Sequence, residues 1–266
     1  MTDLDPNLLF IKLGGSLITD KDQVESAKSD LILALLREIR QQLNLQPGLK
    51  VLLGHGSGSF GHHAARMYGT RLGVTTPAEW QGFQAVWLSA RKLNQVVVSL
   101  AAQAGLPVIS FPPSATALTS SHVVQHWELT PMRSVLAHRL IPLVYGDVVV
   151  DTSLGGTILS TEDLFVYLAK QLKPSRILLA GSQAGVFADF PANSQLILVI
   201  NRDDDLSSIL QGSESQDVTG GMFTKVHLMQ ALCRELPGLQ VRIFSAQDPT
   251  NLSKAMQGKA VGTLIH

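Results

Sequence analysis

The sequence contains one cysteine and no excess of charge of either sign. The first excludes a protein stabilised by its own disulfides, and the second argues against a protein that binds nucleic acid. Cys233 alone cannot form an intramolecular disulfide, and it falls in a helical pattern where we expect it to pack in the core. The 21 basic residues balance 21 acidic residues, so the bulk charge argues against nucleic acid as a partner.

Long apolar runs are also missing. No run approaches the roughly 20 residues that a membrane-spanning helix needs. The N-terminal segment MTDLDPNLLF lacks the basic region and the long apolar core of a signal peptide. We therefore expect a soluble cytoplasmic protein with no membrane partner. Its 266 residues allow one large α/β domain or two modest lobes.

The sequence does contain a glycine-rich stretch at 51–63, read as VLLGHGSGSFGHH. Its apolar first half predicts a buried strand, and its glycine-rich second half predicts a loop that needs unusual backbone angles. Consecutive N–H groups in such a loop form an anion site, and a helix that starts near Phe60 would add its dipole. His62 and His63 would supply side-chain donors at the same place. The stretch therefore predicts a pocket for a phosphate or a similar anion.

Other interpretations of this stretch stay open. Gly56, Gly58 and Gly61 satisfy the G-x-G-x-x-G pattern of dinucleotide-binding proteins. That pattern also needs an acidic residue about 20 positions later at a strand end, whereas Glu79 lies at a predicted helix start. The phosphate loop of nucleotide-binding proteins needs lysine and then serine or threonine after its last glycine, and His62 stands there instead. A glycine-rich turn without any ligand is a further alternative.

Apolar runs alternate with amphipathic helical patterns along the whole chain. Strands are predicted at 8–12, 49–53, 108–111, 141–145, 148–150, 177–180, 196–200, 240–244 and 261–265. Helices are predicted at 29–42, 77–104, from 131 onward, and at 161–172, 222–235 and 252–256. Such alternation is typical of an α/β fold with a mainly parallel sheet that helices cover on both faces. The region around Pro174 is the best place to divide the chain into two lobes.

Glycine and charged residues cluster at the predicted strand ends, where open α/β sheets bind ligands. They lie at 12–16 with Lys21 nearby, at 56–63, 146–151 and 160–163, and at 217–222 with Lys225 in the following helix. Lys12 would end a buried strand, which is unfavourable unless an anion pairs with it. Lysines from separate segments that meet at glycine loops suit phosphoryl transfer, which needs positioning and charge neutralisation. For 160–163, simple helix capping is an equally open interpretation.

The motifs KLGGSLIT, HGSGSFGH, FPPS, GDVVVD, ILSTED, GVFADFP, DVTGGM and GTLI occur in this order. With them the chain resembles the amino acid kinase superfamily over nearly its whole length, and most closely the isopentenyl phosphate kinase branch. The resemblance implies a three-layer α/β/α fold in one continuous catalytic domain, with an acceptor lobe at 1–173 and a nucleotide lobe at 174–266. It also implies a homodimer that uses ATP and Mg²⁺. The acceptor would be a small phosphomonoester, isopentenyl phosphate first, which gains the γ-phosphoryl group to give a diphosphate.

The resemblance also implies a role for individual residues. The nucleotide and its phosphates would be bound by Lys12, Gly14, Gly15, Ser16, Ser182, Thr219, Gly220, Gly221 and Lys225. The acceptor phosphate would be bound by Gly56, Ser57, Gly58, Ser59, Gly61 and His62, bordered by Gly146 and Asp147. The residues implied in catalysis are Lys12, Lys21, His62, Glu162 and Lys225. His55 is expected to be structural, and no residue is assigned as a metal ligand.

Some positions depart from the family pattern. Ser57 stands where a third glycine is usual, which is a small change. Thr161 and Glu162 replace the usual Gly-Asp, whose aspartate is thought to organise the lysines; Glu162 keeps the charge and adds a methylene. The stretch 181–184, read as GSQA, lacks both acidic residues of the usual Thr-Asp-Val-Asp. That loss puts the identity and affinity of the nucleotide in question more than the fold.

An isoprenoid acceptor needs an apolar slot beside its phosphate. Trp80, Phe83, Ala85, Val86 and Trp87 lie in the predicted helix after the glycine loop, with Phe83 and Trp87 on one face. Ordinary core packing of a long helix explains them equally well. A fosfomycin-type kinase, which has a small polar acceptor and shares KLGGSLIT and GSFGH, is the nearest alternative. A catalytically silent sensor of phosphorylated metabolites is the alternative from a different class.

Overall fold

The structure is a computed structural model that describes residues 4–20, 22–189, 192–206 and 221–266, without the side chains of His62 and His63. Its strands are β1 Asp5–Leu13, β2 Lys50–His55, β3 Val108–Ser110, β4 Ala117–Ser120, β5 Val123–Trp127, β6 Ile141–Tyr145, β7 Asp147–Asp151, β8 Gly155–Leu159, β9 Pro174–Gly181, β10 Val186–Phe187, β11 Leu196–Ile197, β12 Val199–Ile200, β13 Gln240–Ser245 and β14 Thr263–Ile265. Its helices are α1 Gly15–Ile18, α2 Ser29–Leu45, α3 Gly58–Tyr68, α4 Pro77–Gln103, α5 Pro113–Thr116, α6 Thr130–Ala137, α7 Thr161–Leu172, α8 Met222–Glu235 and α9 Thr250–Met256, with a 3-10 turn at Thr70–Leu72.

The central sheet of the described residues has eight strands in the order β12-β14-β13-β9-β1-β2-β6-β3. Neighbouring strands pair in parallel, except β13 and β14, which are antiparallel. Strand β1 is buried continuously from Leu8 to Leu13. A strand with buried side chains on both faces must lie inside a sheet that is covered on both sides, and β1 accordingly lies between β9 and β2.

Alternate residues of β1 face opposite sides of the sheet, and each side has its own core. Leu8 and Phe10 pack in one core with residues of α6, α7 and α8. Leu9 and Ile11 pack in the other core with residues of α2, α4 and α9. The structure therefore confirms the predicted three-layer α/β/α fold with a mainly parallel sheet. Cys233 is buried in α8, as its helical pattern predicts.

A second sheet has the strand order β5-β4-β7-β8, in which β4 and β5 come before β6 along the chain and β7 and β8 come after it. Asp151 at the end of β7 joins the β4-β5 hairpin to the β7-β8 hairpin. Its carboxylate accepts hydrogen bonds from the N–H groups of residues 121, 122, 153 and 154 and from the Thr119 hydroxyl. Burial raises the pKa of Asp151, but these hydrogen bonds outweigh it and lower the pKa to about 2. The sequence patterns predict neither β4 nor β5, because the short segments ALTS and VVQHW carry few buried apolar residues.

The predicted single strand at 196–200 is wrong in one respect. Strand β11 pairs with β10 in a separate hairpin, whereas β12 joins the edge of the central sheet beside β14. Leu198, between them, is 66% exposed. The apolar run is continuous in the sequence, but its two halves find different hydrogen-bonding partners, and tertiary pairing overrides the local pattern.

The division of the chain at Pro174 stays a prediction. Pro174 begins β9, and β9 pairs with β1 on one side and β13 on the other, so the central sheet runs across this position without interruption. In the described ranges, no helix is both long and apolar enough to span a membrane.

Candidate active site

The candidate site lies where neighbouring parallel strands end together. In the strand register, Lys12 of β1 stands opposite Gly54 of β2, and Leu13 stands opposite both His55 and Ala180. His55 in turn stands opposite Tyr145 of β6. The loops that leave β9, β1, β2 and β6 therefore start side by side at one edge of the sheet, which is where open α/β sheets bind their ligands.

Two of these loops contact each other through their backbones. The first glycine loop, residues 14–16, follows β1, and the second glycine loop, residues 56–61, follows β2. A Cβ added at Gly15 would lie 2.4 Å from the Gly58 nitrogen, and one at Gly56 would lie 2.7 Å from the Gly15 nitrogen. Gly58 also has a positive φ of 49°. Only glycine allows this approach, so the glycines set the distance between the two loops.

Each glycine loop presents backbone N–H groups that have no acceptor in the described part of the chain. These are the N–H groups of Gly15 and Ser16 in the first loop and of Ser57 and Gly58 in the second. They stand at the N-termini of α1 and α3, where the first N–H groups of a helix have no intrahelical partner. The 11-residue helix α3 adds its dipole to the second loop.

The second glycine loop also contains a hydroxyl that suits an anion. Ser59 Oγ is buried and has no hydrogen-bond partner among the described residues. The Ser59 N–H, in contrast, donates to the Thr19 hydroxyl at 3.0 Å. A buried hydroxyl without a partner is unfavourable, and a phosphate oxygen bound by the adjacent free N–H groups is an acceptor of the right chemistry.

A charged cluster of Lys12, Glu162 and Lys225 lies beside the loops. Lys12 Nζ is 2.7 Å from Glu162 Oε1, and Lys225 Nζ is 3.8 Å from the same oxygen. The side chains of Lys12 and Glu162 are only 9% and 12% exposed. Burial raises the pKa of Glu162, but the charges of Lys12 and then Lys225 outweigh burial and lower it. Glu162 is therefore ionised, and it pairs with both lysines.

The start of helix α7 brings Glu162 to Lys12. Ser160 and Asp163 form a capping box that fixes the first turn of the helix. The Thr161 hydroxyl donates to the carbonyl oxygen of His55 at 2.6 Å. A Cβ at Gly54 would lie 2.7 Å from both Phe165 and Thr161, so this glycine lets α7 approach β2. Segment 160–163 therefore caps helix α7 and also places Glu162 beside Lys12.

His55 is buried under the second glycine loop. Its ring stacks on Tyr145 with centroids 5.2 Å apart, and Nδ1 lies 3.0 Å from the Gly56 carbonyl oxygen. Burial lowers the pKa of His55 to about 4, so the ring is neutral at physiological pH. A neutral ring that contacts only the protein interior packs the floor of the site, in agreement with the expected structural role.

Asp147 lies at the start of β7 and is 1% exposed. Its carboxylate accepts hydrogen bonds from the Ser114 hydroxyl at 2.7 Å and from the Val148 N–H at 2.9 Å. Burial raises the pKa of Asp147 to about 6 in spite of these bonds. Burial, and then the charge of Asp147, also raise the pKa of Tyr145. Gly146 links Tyr145 to Asp147 at the same edge of the sheet.

Of the other residues implied by the resemblance, some lie outside the described part of the chain. Lys21, Thr219 and Gly220 lie outside the described residues, and of His62 only the position in helix α3 is described. Gly221 precedes helix α8, one turn before Lys225. Ser182 follows β9, where its carbonyl oxygen accepts a hydrogen bond from Ser245. The roles of all these residues stay predictions.

The sequence patterns missed Thr19, although it lies within the motif KLGGSLIT. Thr19 is fully buried, and its hydroxyl touches both glycine loops. A threonine after an apolar pair carries no local signal of such contacts, because its partners are backbone atoms. Of the aromatic residues proposed for the slot, Trp80 and Phe83 lie together: their rings are 5.0 Å apart, and Phe83 packs against Gly156. The Trp87 ring contacts the Arg91 guanidinium instead, and the slot stays a prediction.

Comparisons with known proteins agree with this geometry. The model of the amino acid kinase family matches residues 7–245. The isopentenyl phosphate kinase of Methanothermobacter thermautotrophicus is 33% identical, over 97% of this chain and 98% of its own length. The isopentenyl phosphate kinase of Methanocaldococcus jannaschii is 29% identical over the same shares. A solved isopentenyl phosphate kinase structure superposes with a TM-score of 0.83 at 28% identity, covering 97% of this chain and 100% of that one.

Proposed function

Because this chain belongs to the amino acid kinase family, we propose that it transfers the γ-phosphoryl group of ATP to isopentenyl phosphate. An oxygen of the acceptor phosphate attacks the γ-phosphorus, and the bond from that phosphorus to the β,γ-bridging oxygen breaks. ADP leaves with the bridging oxygen, and the acceptor becomes isopentenyl diphosphate. The names of the two relatives described above support this acceptor.

The observation that carries the proposal is the contact between the two glycine loops beside the charged cluster. Each loop offers free N–H groups, so each can bind one phosphate chain, and their contact holds the two phosphates near one another. Phosphoryl transfer depends on such positioning and on stabilising charge, with little covalent chemistry for the protein to do. We assign the first loop to the ATP phosphates and the second loop to the acceptor phosphate.

The ion pairs of the cluster explain what Glu162 contributes. Glu162 keeps two ammonium groups together. Two ammonium groups at one place stabilise the negative charge that spreads over the transferred group. In this proposal Lys21 and His62 add to the same stabilisation, from the donor side and the acceptor side respectively.

Magnesium fits this site through the phosphates rather than through a protein cage. Within the described residues there is no cluster of three or more histidine, cysteine, aspartate or glutamate side chains that could hold a metal ion. Mg²⁺ commonly keeps several waters and binds substrate phosphates. When it is bound, it neutralises charge on the ATP phosphates, and the lysines of this chain bind the oxygens that remain.

The acceptor's apolar tail is the feature that separates isopentenyl phosphate from a polar acceptor. Trp80 and Phe83 form an apolar surface on α4, close to β8. Burying a five-carbon tail against such surface favours binding by about 0.8 kcal/mol per CH₂ group. A small polar acceptor such as fosfomycin gains nothing there. We therefore place the isoprenoid phosphate above fosfomycin as the acceptor.

The test is a turnover assay with ATP, Mg²⁺ and a panel of acceptors: isopentenyl phosphate, fosfomycin, glycerol phosphate and inorganic phosphate. ADP release and the acceptor product are measured together by ³¹P NMR. We expect turnover of isopentenyl phosphate with equal amounts of ADP and diphosphate. Turnover of fosfomycin alone would move the assignment to that class of kinase. No turnover of any acceptor would favour a phosphometabolite sensor.

We also propose a homodimer, on the family resemblance alone, and a cytoplasmic location, as the sequence pattern predicts. Sedimentation equilibrium of the purified protein at micromolar concentration tests the first of them. A mass of twice the 28.7 kDa chain is expected. A single-chain mass would contradict the dimer without affecting the assignment of the reaction.

A further inference from the structure

Thr19 has a hydroxyl that bonds to both glycine loops at once. Its Oγ1 donates a hydrogen bond to the Gly15 carbonyl oxygen at 2.8 Å. The same oxygen accepts the Ser59 N–H at 3.0 Å. Among the described residues, no other side chain bonds to both loops. We call this pair of hydrogen bonds the Thr19 bridge.

Thr19 is itself held firmly in place. Its side chain is fully buried, and its N–H also donates to the Gly15 carbonyl oxygen, at 3.0 Å. A β-bridge pairs Thr19 with Ala27, and Lys28 N–H donates to the carbonyl of Ile18 at 2.8 Å. These contacts fix the hydroxyl relative to the first loop. Its hydrogen bond with the Ser59 N–H then fixes the second loop relative to the first.

The second loop is shaped to receive the hydroxyl. A Cβ at Gly58 would lie 2.1 Å from Thr19 Oγ1 and 2.7 Å from the Gly15 carbonyl oxygen. Below this point the loops are joined by the strand pairing, which ends with the Gly56 N–H donating to the Leu13 carbonyl at 3.0 Å. Nearer the first residues of α1 and α3, the hydrogen bonds of Thr19 join the two loops.

We propose that Thr19 is a positioning residue that fixes the separation of the two bound phosphates. This inference rests on the proposed function, in which the first loop binds ATP and the second binds the acceptor. The reacting oxygen and phosphorus must approach to about 3–3.5 Å in line, and a misplacement of about 1 Å can cost 100-fold in rate. A bridge between the loops acts on this separation and leaves the phosphate contacts of each loop intact.

The test compares Thr19→Ala with Thr19→Ser, because these two variants differ only by the hydroxyl. For Thr19→Ala we expect kcat to fall by about 10- to 100-fold, with the KM for ATP and the KM for the acceptor each within about 3-fold of wild type. Thr19→Ser should keep kcat within about 3-fold, because the bridge can still form. The rates are normalised to folded protein, measured by thermal unfolding of each sample.

Thr119 supplies a matched control. It is also fully buried, and its hydroxyl bonds to the Val150 carbonyl and to Asp151 in the second sheet. Thr119→Ala should lower the melting temperature but keep kcat per folded molecule close to wild type. If Thr19→Ala behaved like Thr119→Ala, Thr19 would be only structural and the inference would be wrong. The same holds if Thr19→Ser were as slow as Thr19→Ala.

A measurement without turnover separates this inference from the proposed function. Amide hydrogen exchange of Ser59, followed by NMR in the ligand-free protein, reports the hydrogen bond to Thr19 directly. We expect faster exchange in Thr19→Ala and wild-type exchange in Thr19→Ser. Equal exchange in all three proteins would overturn the bridge even if the enzyme turns over. If the wild type turned over no acceptor, the proposed function and the positioning role would both fail, while the exchange data would still decide whether Thr19 joins the loops.

Discussion

Glu162→Gln is the substitution that tests the charged cluster most severely. It keeps the shape of the side chain and removes the charge that pairs with Lys12 at 2.7 Å and with Lys225 at 3.8 Å. Lys12 is 9% exposed, so water cannot replace the lost partner. Removing one member of a buried ion pair costs about 3–5 kcal/mol. For a chain of this size, 1 kcal/mol shifts the melting temperature by about 2–4 °C, so we expect a loss of about 6–20 °C.

Calorimetry with and without ATP distinguishes this explanation from simple loss of packing. In the variant Lys12 loses the carboxylate that lies 2.7 Å from its ammonium group, and bound polyphosphate can take its place. ATP should therefore raise the melting temperature more in Glu162→Gln than in the wild type, through its preferential binding to the folded state. Packing damage alone would leave the ATP effect equal or smaller.

Glu235→Gln is the matched control, because Glu235 pairs with Lys170 at the same distance of 2.7 Å on the surface. Both partners are well exposed, at 53% and 39%, and a surface pair contributes only about 0–1 kcal/mol. The control should shift the melting temperature by no more than about 4 °C. If Glu162→Gln were as stable as this control, the reasoning about the buried cluster would be refuted.

Further substitutions test other parts of the account. Glu162→Asp shortens the side chain by one methylene but keeps the charge, so it should melt between wild type and Glu162→Gln; melting as low as Glu162→Gln would show that reach matters as much as charge. Asp151→Asn should destabilise the protein at pH 7, because the pKa of Asp151 is lowered from 3.8 to about 2 in the folded state. The loss of unfolding free energy relative to wild type should shrink as the pH falls from about 4 to about 2. A loss that does not change with pH would contradict this. His62→Ala should lower kcat/KM for the acceptor by about 10- to 150-fold, the value of a charge-assisted hydrogen bond, and spare the KM for ATP; the reverse pattern would assign the second loop to the nucleotide. Lys21→Ala should lower kcat more than it raises either KM, and a near-normal kcat would remove Lys21 from the mechanism.

The fold was predictable because its signals are local and repeated. The buried run of β1, the Thr76 capping box of α4 and the start of α7 each follow from residues close in sequence. Apolar strands that alternate with amphipathic helices leave few arrangements other than a covered parallel sheet. The segments of β4 and β5 were missed because they are short and mix apolar with polar residues, and because Asp151, which bonds the turn between them, lies about 30 residues later.

The candidate site was predictable only in part. The need of Lys12 for an anion follows from its place in a buried strand, and Glu162 meets that need. Which carboxylate would do so could not be derived from spacing, because 150 residues separate the two. The Thr19 bridge is similarly hidden, since Ser59 lies 40 residues away and contributes only its N–H. Contacts of this kind depend on how loops meet, and no periodic pattern in the sequence records them.

The most direct test of the central claim follows the γ-phosphoryl group itself. The protein is incubated with [γ-³²P]ATP, Mg²⁺ and isopentenyl phosphate, and the labelled products are separated. The account predicts label in the terminal phosphate of isopentenyl diphosphate, one equivalent for each ADP formed. Label that appears only in inorganic phosphate, or that stays in ATP, would contradict it.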